Sequence, residues 1–188
     1  PVLASASMDQ TARLWDLVAN RARQTFRGHV DSVNAVEFAP YSNHLATGSG
    51  DKTVSIWDAR TGLCEQTFYG HRNAINALCF APRGDVLASA DADGAVRLWD
   101  VRMVSELAVV DAGSFAVNAI AFDPSGMRLA VGGDDSIIRL YDAATAPAAP
   151  ELVHSLEGHA EAVQAIAFDA AGSCLFSGAS DATLRLWS

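Results

Sequence analysis

Aromatic residues recur along this chain at a fixed step. Trp15, Trp57, Trp99 and Tyr141 lie 42 positions apart, and Trp187 follows 46 further on. Other residue types keep the same phase. Phe38, Phe80 and Phe122 do so, as do Pro40, Pro82 and Pro124, and the aspartates Asp9, Asp51, Asp93, Asp135 and Asp181. Several residue types locked to one period require one supersecondary unit used repeatedly, because periods of about 20–50 residues mark solenoids, propellers or arrays.

Within each unit, short runs of strand-forming residues alternate with turn residues. Val33–Phe38, His44–Gly48, Thr53–Trp57 and Cys64–Phe68 form one such set. Ala81-Pro82-Arg83-Gly84 and Asp123-Pro124-Ser125-Gly126 read as turns, since proline presets φ and glycine supplies positive φ. No stretch carries a helical period. Four short strands per unit predict one blade of a β-propeller, hence an all-β chain of four-stranded antiparallel blades. The repeats fall at 1–16 (partial), 17–58, 59–100, 101–142 and 143–188.

Composition narrows the function classes. Half of the 188 residues are hydrophobic and 19% are charged, which is globular and far from disordered. No apolar run reaches the ~18–20 residues of a membrane span. The net charge is −9 and Lys52 is the single lysine, so nucleic acid and anionic membranes are repelled at long range. Neither is expected as a partner. Cys64, Cys79 and Cys174 are widely spaced in apolar runs, which predicts buried reduced thiols and no metal site. No cofactor motif is present; Gly48-Ser49-Gly50-Asp51 has no lysine and no following helix, so it is not a phosphate loop.

The pairs Gly28-His29, Gly70-His71 and Gly158-His159, with Trp57-Asp58, Trp99-Asp100 and Trp187-Ser188, resemble WD40 repeats over the whole chain. The resemblance implies a propeller of seven blades in which each repeat supplies the outer strand of one blade and three inner strands of the next. Residues 1–188 then form the C-terminal part of one propeller, and two to three further blades are expected upstream. It also implies structural hydrogen-bond tetrads: His29, Thr47, Asp51 and Trp57; His71, Ser89, Asp93 and Trp99; and His159, Ser177, Asp181 and Trp187. A Ser-His-Asp set spells a hydrolase triad too, but recurrence argues for architecture, so the domain is read as non-enzymatic. The repeat at 101–142 departs from the pattern, with Gly113, Val131 and Tyr141 in three of the four positions and only Asp135 retained.

Other departures mark candidate contacts. Thr145–Pro150 contains the four extra residues, and Thr145, Pro147 and Pro150 form a proline-rich contact loop. Phe115 replaces the small or polar residue that follows the Gly-His site, and Arg27, Tyr69 and Arg72 flank the same loops. Arginine and aromatic residues are favoured binding anchors. His44 and His154 are lone, and Asp134-Asp135 lacks further ligands for a cation.

Three segments, TFRGHVDSVNAVEF, DKTVSIWDARTGLCEQTFYGH and LRLWS, resemble WD-repeat proteins of the central-pair apparatus of motile cilia and flagella. That likeness implies a scaffold bridging the central-pair microtubules and needed for motility, in the cytoskeleton of the axoneme. Its partners would be other central-apparatus proteins, with microtubules reached indirectly because tubulin's surface is also acidic. The rival reading is a substrate receptor of a cullin–RING ubiquitin ligase, since Trp57-Asp58-Ala59-Arg60 and Trp99-Asp100-Val101-Arg102 resemble its WDxR box. A G-protein-β-like subunit would share the fold but needs an upstream coiled coil.

Overall fold

The computed structural model describes residues 1–144 and 148–188. They form eighteen strands and, among the described residues, no helix. The first sheet holds β1 (Val2–Ala6), β2 (Thr11–Asp16) and β3 (Arg21–Arg27). The second holds β4 (Val33–Phe38), β5 (His44–Ser49), β6 (Thr53–Asp58) and β7 (Cys64–Tyr69). The third holds β8 (Ile75–Phe80), β9 (Val86–Asp91), β10 (Ala95–Asp100) and β11 (Ser105–Asp111). The fourth holds β12 (Val117–Phe122), β13 (Arg128–Gly133), β14 (Ile138–Asp142) and β15 (Glu151–Leu156). The last holds β16 (Val163–Phe168), β17 (Leu175–Ala179) and β18 (Leu184–Trp187). Every sheet is an antiparallel meander in chain order.

No sheet encloses a core of its own. The buried clusters lie between sheets. One joins Ala12 to Val33, Leu45 and Trp57 of the next sheet; the following one joins Val54 to Ile75, Leu87 and Trp99. Val96, Val117, Leu129 and Tyr141 repeat the arrangement, as do Ile138, Val163 and Leu175 with Trp187 at the margin. A side chain on one sheet's third strand, or on the second of the three-stranded first sheet, therefore packs on the neighbour's first two strands and its aromatic residue. Full burial of such a side chain is worth about 1.5–3 kcal/mol.

The innermost strands carry a regular irregularity. Pairing with the second strand shifts between Val33 and Ala35, Ile75 and Ala77, Val117 and Ala119, and Val163 and Ala165. The residues left out of the ladder are Asn34, Asn76, Asn118 and Gln164. A bulge re-aims the side chain of its extra residue. Asn34 Nδ2 donates to Ile75 O of the next sheet at 2.9 Å, Asn76 to Val117 O at 3.1 Å, and Asn118 to Val163 O at 3.4 Å. Gln164 turns to Ser180 Oγ at 3.1 Å instead. Asparagine at step 42 was the available signal for this clamp.

One charged residue joins it. Glu37 on β4 accepts the Phe80 N–H of β8 at 3.0 Å. Burial pushes its carboxyl up from 4.5 to about 7, against the pull of that hydrogen bond. Burial also drives the Cys79 thiol well above its usual range. The expectation of three buried thiols holds for Cys79 only: Cys64 is exposed and Cys174 half-buried. Cys64 opens an outermost strand, where one flank faces water, and apolar neighbours along the chain do not report that.

Two outcomes follow. Asn76→Ala leaves the Val117 carbonyl without its inter-sheet donor and lowers stability by about 1–2 kcal/mol in urea unfolding. Between pH 4.5 and about 7 the folded protein holds a proton on Glu37 that the unfolded chain releases, so this group's contribution falls as pH rises through that window. Glu37→Gln, which keeps the acceptor for Phe80, stabilises the protein at pH 8 relative to pH 5 when each is compared with wild type.

Candidate interaction face

The loops entering each inner strand and the turns between second and third strands lie together on one face. Gly50 N–H donates to Ser32 O at 2.8 Å, tying turn to loop, and Ala92 N–H to Ala74 O does the same one sheet on. On this frame the loop supplies a histidine, the second strand a hydroxyl, the turn a carboxylate and the third strand an indole.

In the second sheet His29 Nδ1 meets Asp51 Oδ2 at 2.8 Å and His29 Nε2 meets Thr47 Oγ1 at 2.7 Å. Trp57 Nε1 donates to the same hydroxyl at 2.7 Å. The last sheet repeats this, with His159 at 3.1 Å from Asp181 and 2.7 Å from Ser177, which also accepts Trp187 Nε1 at 2.9 Å. In the first sheet Trp15 Nε1 donates to Ser5 Oγ at 2.9 Å. The histidines, Thr47, Ser177 and Trp57 are buried, while Ser5, Trp15 and Trp187 are half-buried, and a buried polar group is stable only when its partners are supplied.

The third sheet departs from expectation. His71 Nδ1 bonds Asp91 Oδ2 at 2.8 Å, not Asp93, while His71 Nε2 lies 2.5 Å from Ser89 Oγ and Trp99 Nε1 2.7 Å from it. The cause lies two residues further on. Thr53 and Thr183 hold their aspartates by Oγ1 donation at 2.7 and 2.6 Å, but the equivalent residue here is Ala95. Without that hydroxyl the carboxylate comes from Asp91, in the place of Ser49, where its other oxygen accepts the N–H groups of Asp93 and Ala95 at 3.0 and 2.9 Å. Asp93 points outward and accepts Asn73 Nδ2 at 2.8 Å.

Burial opposes ionisation of Asp51 and Asp91. Hydrogen bonds from Thr53, His29 and Val30 on the one, and from His71 and Ala95 on the other, outweigh it and hold both below the usual carboxylate range. The Thr183 hydroxyl, then the Ala160 N–H, lower Asp181 likewise.

In the fourth sheet Val131 and Tyr141 take the hydroxyl and indole positions, both buried in the apolar cluster. Asp135 finds Arg139 at 2.6 Å in place of an imidazole. Asp134 accepts Asn118 Nδ2 at 2.7 Å. No group of three potential metal ligands occurs among the described residues.

The face is acidic. Asp31, Asp93, Asp111, Asp134, Glu157 and Glu161 are exposed there against Arg27, Lys52 and Arg72. Tyr69 is 75% exposed and Phe115 54%, Phe115 also lining a small cavity beside Val131 and Arg139. Pro150 is buried, set against Tyr141 and Leu152, so it is a packing residue and not a free contact. Thr145 and Pro147 lie outside the described residues. His44 is not lone: its Nε2 lies 2.9 Å from Glu65.

The WD domain, G-beta repeat family matches residues 1–16, 20–58, 62–100, 105–142 and 150–188. The chain belongs to that family. Its repeats build scaffolds for protein interaction. Guanine nucleotide-binding protein beta subunits from Solanum tuberosum and Nicotiana tabacum are 51% identical over 47 residues, and one from Zea mays 45%. Each stretch covers 24% of this chain and 12% of the relative's length. That is little more than one WD40 repeat, so the likeness carries the blade and not the partners.

Asp91→Ala is expected to destabilise by about 2–3 kcal/mol and Asp93→Ala by less than about 0.5 kcal/mol in chemical unfolding. The contribution of Asp91, whose folded-state value is depressed, is fully present above the ordinary carboxylate range and lost as pH falls from that range through the lower folded value. Amides of the 131–141 hairpin should exchange faster than those of 89–99; equal protection would show that apolar packing replaces the network in full.

Proposed function

We propose that this domain is a non-catalytic interaction scaffold of the axonemal central apparatus, bridging the central-pair microtubules through other proteins and needed for ciliary and flagellar motility. The observation that carries the non-catalytic part is the state of the histidines. His29, His71 and His159 are only 6–7% exposed, and each is bonded at both ring nitrogens. An imidazole so engaged is a structural clip; a general base must reach a substrate proton.

The assignment to the axoneme is supported by the likeness of TFRGHVDSVNAVEF, DKTVSIWDARTGLCEQTFYGH and LRLWS to the C-terminal propeller of sperm-associated antigen 16. The acidic Gly-His face, with Tyr69 and Phe115 exposed on it, suits basic or helical segments of neighbouring proteins better than the acidic outer surface of tubulin. Tagged full-length protein should localise along the central pair, and its loss should leave cilia immotile. A diffuse cytoplasmic signal in ciliated cells, or strong salt-sensitive cosedimentation of the propeller with bare microtubules, overturns the reading.

One observation favours a second reading. The Arg60 side chain, 3.6 Å from Asp58, is 74% exposed and Arg102 is also exposed, so both arginines of the WDxR boxes can be reached by a ligase adaptor. Capture of the cullin adaptor, abolished by Arg60→Ala with Arg102→Ala, would establish it.

A further inference from the structure

The end of the second sheet opposite its tetrad loop holds another set of serine, histidine and carboxylate. Ser42 lies in the turn between β4 and β5, His44 opens β5, and Glu65 lies on β7. Ser42 Oγ is 3.3 Å from His44 Nδ1, and His44 Nε2 is 2.9 Å from Glu65 Oε2. The His44 backbone N–H donates to Ser42 Oγ at 3.2 Å and holds the hydroxyl beside the ring. One ring nitrogen thus faces a carboxylate and the other a hydroxyl. With the proton of the ring on Nε2, toward Glu65, Nδ1 is left to accept the Ser42 proton. These are the roles of nucleophile, base and orienting acid, which are recognised by geometry and not by chain order.

All three residues depart from the repeat. The other turns have Gly84, Gly126 and Gly172 at the Ser42 position, and Val86, Arg128 and Cys174 at the His44 position. Leu107 takes the place of Glu65 in the next sheet. The recurrence that marks the tetrads as architecture is absent here. Access differs as well. The tetrad histidines are buried, whereas the His44 and Glu65 side chains are 38% and 44% exposed and Ser42 is exposed.

The same three residues line a cleft of about 140 Å³ between the second and third sheets, with Ile56, Phe80 and Val101 in its apolar wall. The turn also carries a free donor. In the sister turns the N–H groups of Gly84, Gly126 and Gly172 close on the carbonyls of Ala81, Asp123 and Asp169 at 2.8, 2.9 and 3.0 Å. Among the described residues the Ser42 N–H makes no such bond. A backbone N–H beside a nucleophile can receive the oxygen of a carbonyl under attack.

We propose that Ser42 is an activated nucleophile that takes a short acyl group from an activated ester or thioester. Its Oγ attacks the carbonyl carbon, and its proton passes to His44 Nδ1. The bond from that carbon to the leaving oxygen or sulfur then breaks, and His44 returns the proton to the departing alkoxide or thiolate. The products are an O-acyl serine and a free alcohol or thiol. The acyl chain lies against Ile56, Phe80 and Val101. Glu65 acts through His44 as a positioning residue. Acylation modifies the scaffold and requires no turnover, and the inference stands apart from the axonemal assignment.

The test treats the full-length protein with para-nitrophenyl butanoate and follows nitrophenol release and the acylated peptide by mass spectrometry. A butanoyl group should appear on Ser42, faster than an acetyl group does from the acetate ester. Ser42→Gly restores the residue of the sister turns, so the melting temperature should hold while the label is lost. His44→Gln should slow labelling about tenfold or more. The rate should rise with pH as the imidazole sheds its proton. Glu65→Gln, which removes the negative charge beside the ring, should slow labelling and move that rise to lower pH, and Glu65→Asp should restore part of the rate. Ser125→Ala, in the matching turn of the fourth sheet, should change nothing. No label on Ser42, label only on Lys52 or Cys64, a pH profile that Glu65→Gln leaves in place, or equal rates for the two esters overturns the proposal.

Discussion

The structure depends on one constraint: a blade cannot bury its own faces. Each four-stranded sheet is a single layer, and single layers have no inside. Stability must therefore be made between blades, and the side chains that make it sit at fixed places. Val54 belongs to one sheet and packs on Ile75 and Leu87 of the next; Val96 and Ile138 repeat the contact. The bulged asparagines add a polar bond across the same seam. The period in the sequence is the trace of this seam. Its packing positions recur every 42 residues because every blade needs the same face to meet the same neighbour.

The tetrads answer a second need. Where a loop must cross from one blade to the next, the apolar seam cannot hold it, because loops carry polar backbone. A histidine bonded on both nitrogens fixes the loop to the turn and to the second strand, and the indole joins through the shared hydroxyl. The fourth blade shows that this is a solution and not a requirement. Val131 and Tyr141 fill the space with apolar volume, and Arg139 takes over the carboxylate of Asp135.

Fold and strand content were legible because the 42-residue phase is redundant: many residues report it at once. The fine assignments were legible only where each position had one plausible occupant. Asp93 holds the periodic position, yet the network uses Asp91, because the choice is made by the absence of a hydroxyl at Ala95. That is a side-chain contact, and a step of 42 does not encode it. The exposure of Cys64 and the burial of Pro150 were hidden for a related reason. Both lie on outermost strands or the segments leading into them, where burial is set by neighbours far along the chain. The inter-sheet asparagines were visible as a repeat but not as a function, since a bulge is a property of pairing.

Because the repeat explains so much, departures from it are where further function is to be sought. A residue that every blade shares holds the blade; a residue that one blade alone carries must answer to something else. Phe115 beside the altered network has a local explanation in the cavity it lines. Glu37 has one too, as the acceptor of a neighbouring strand's N–H. Tyr41 takes the left-handed conformation that three sister turns give to glycine one position on, as six other non-glycine residues do among the described residues, and its side chain is exposed. The serine at 42, in the place of those glycines, is what shifts the positive φ back by one residue.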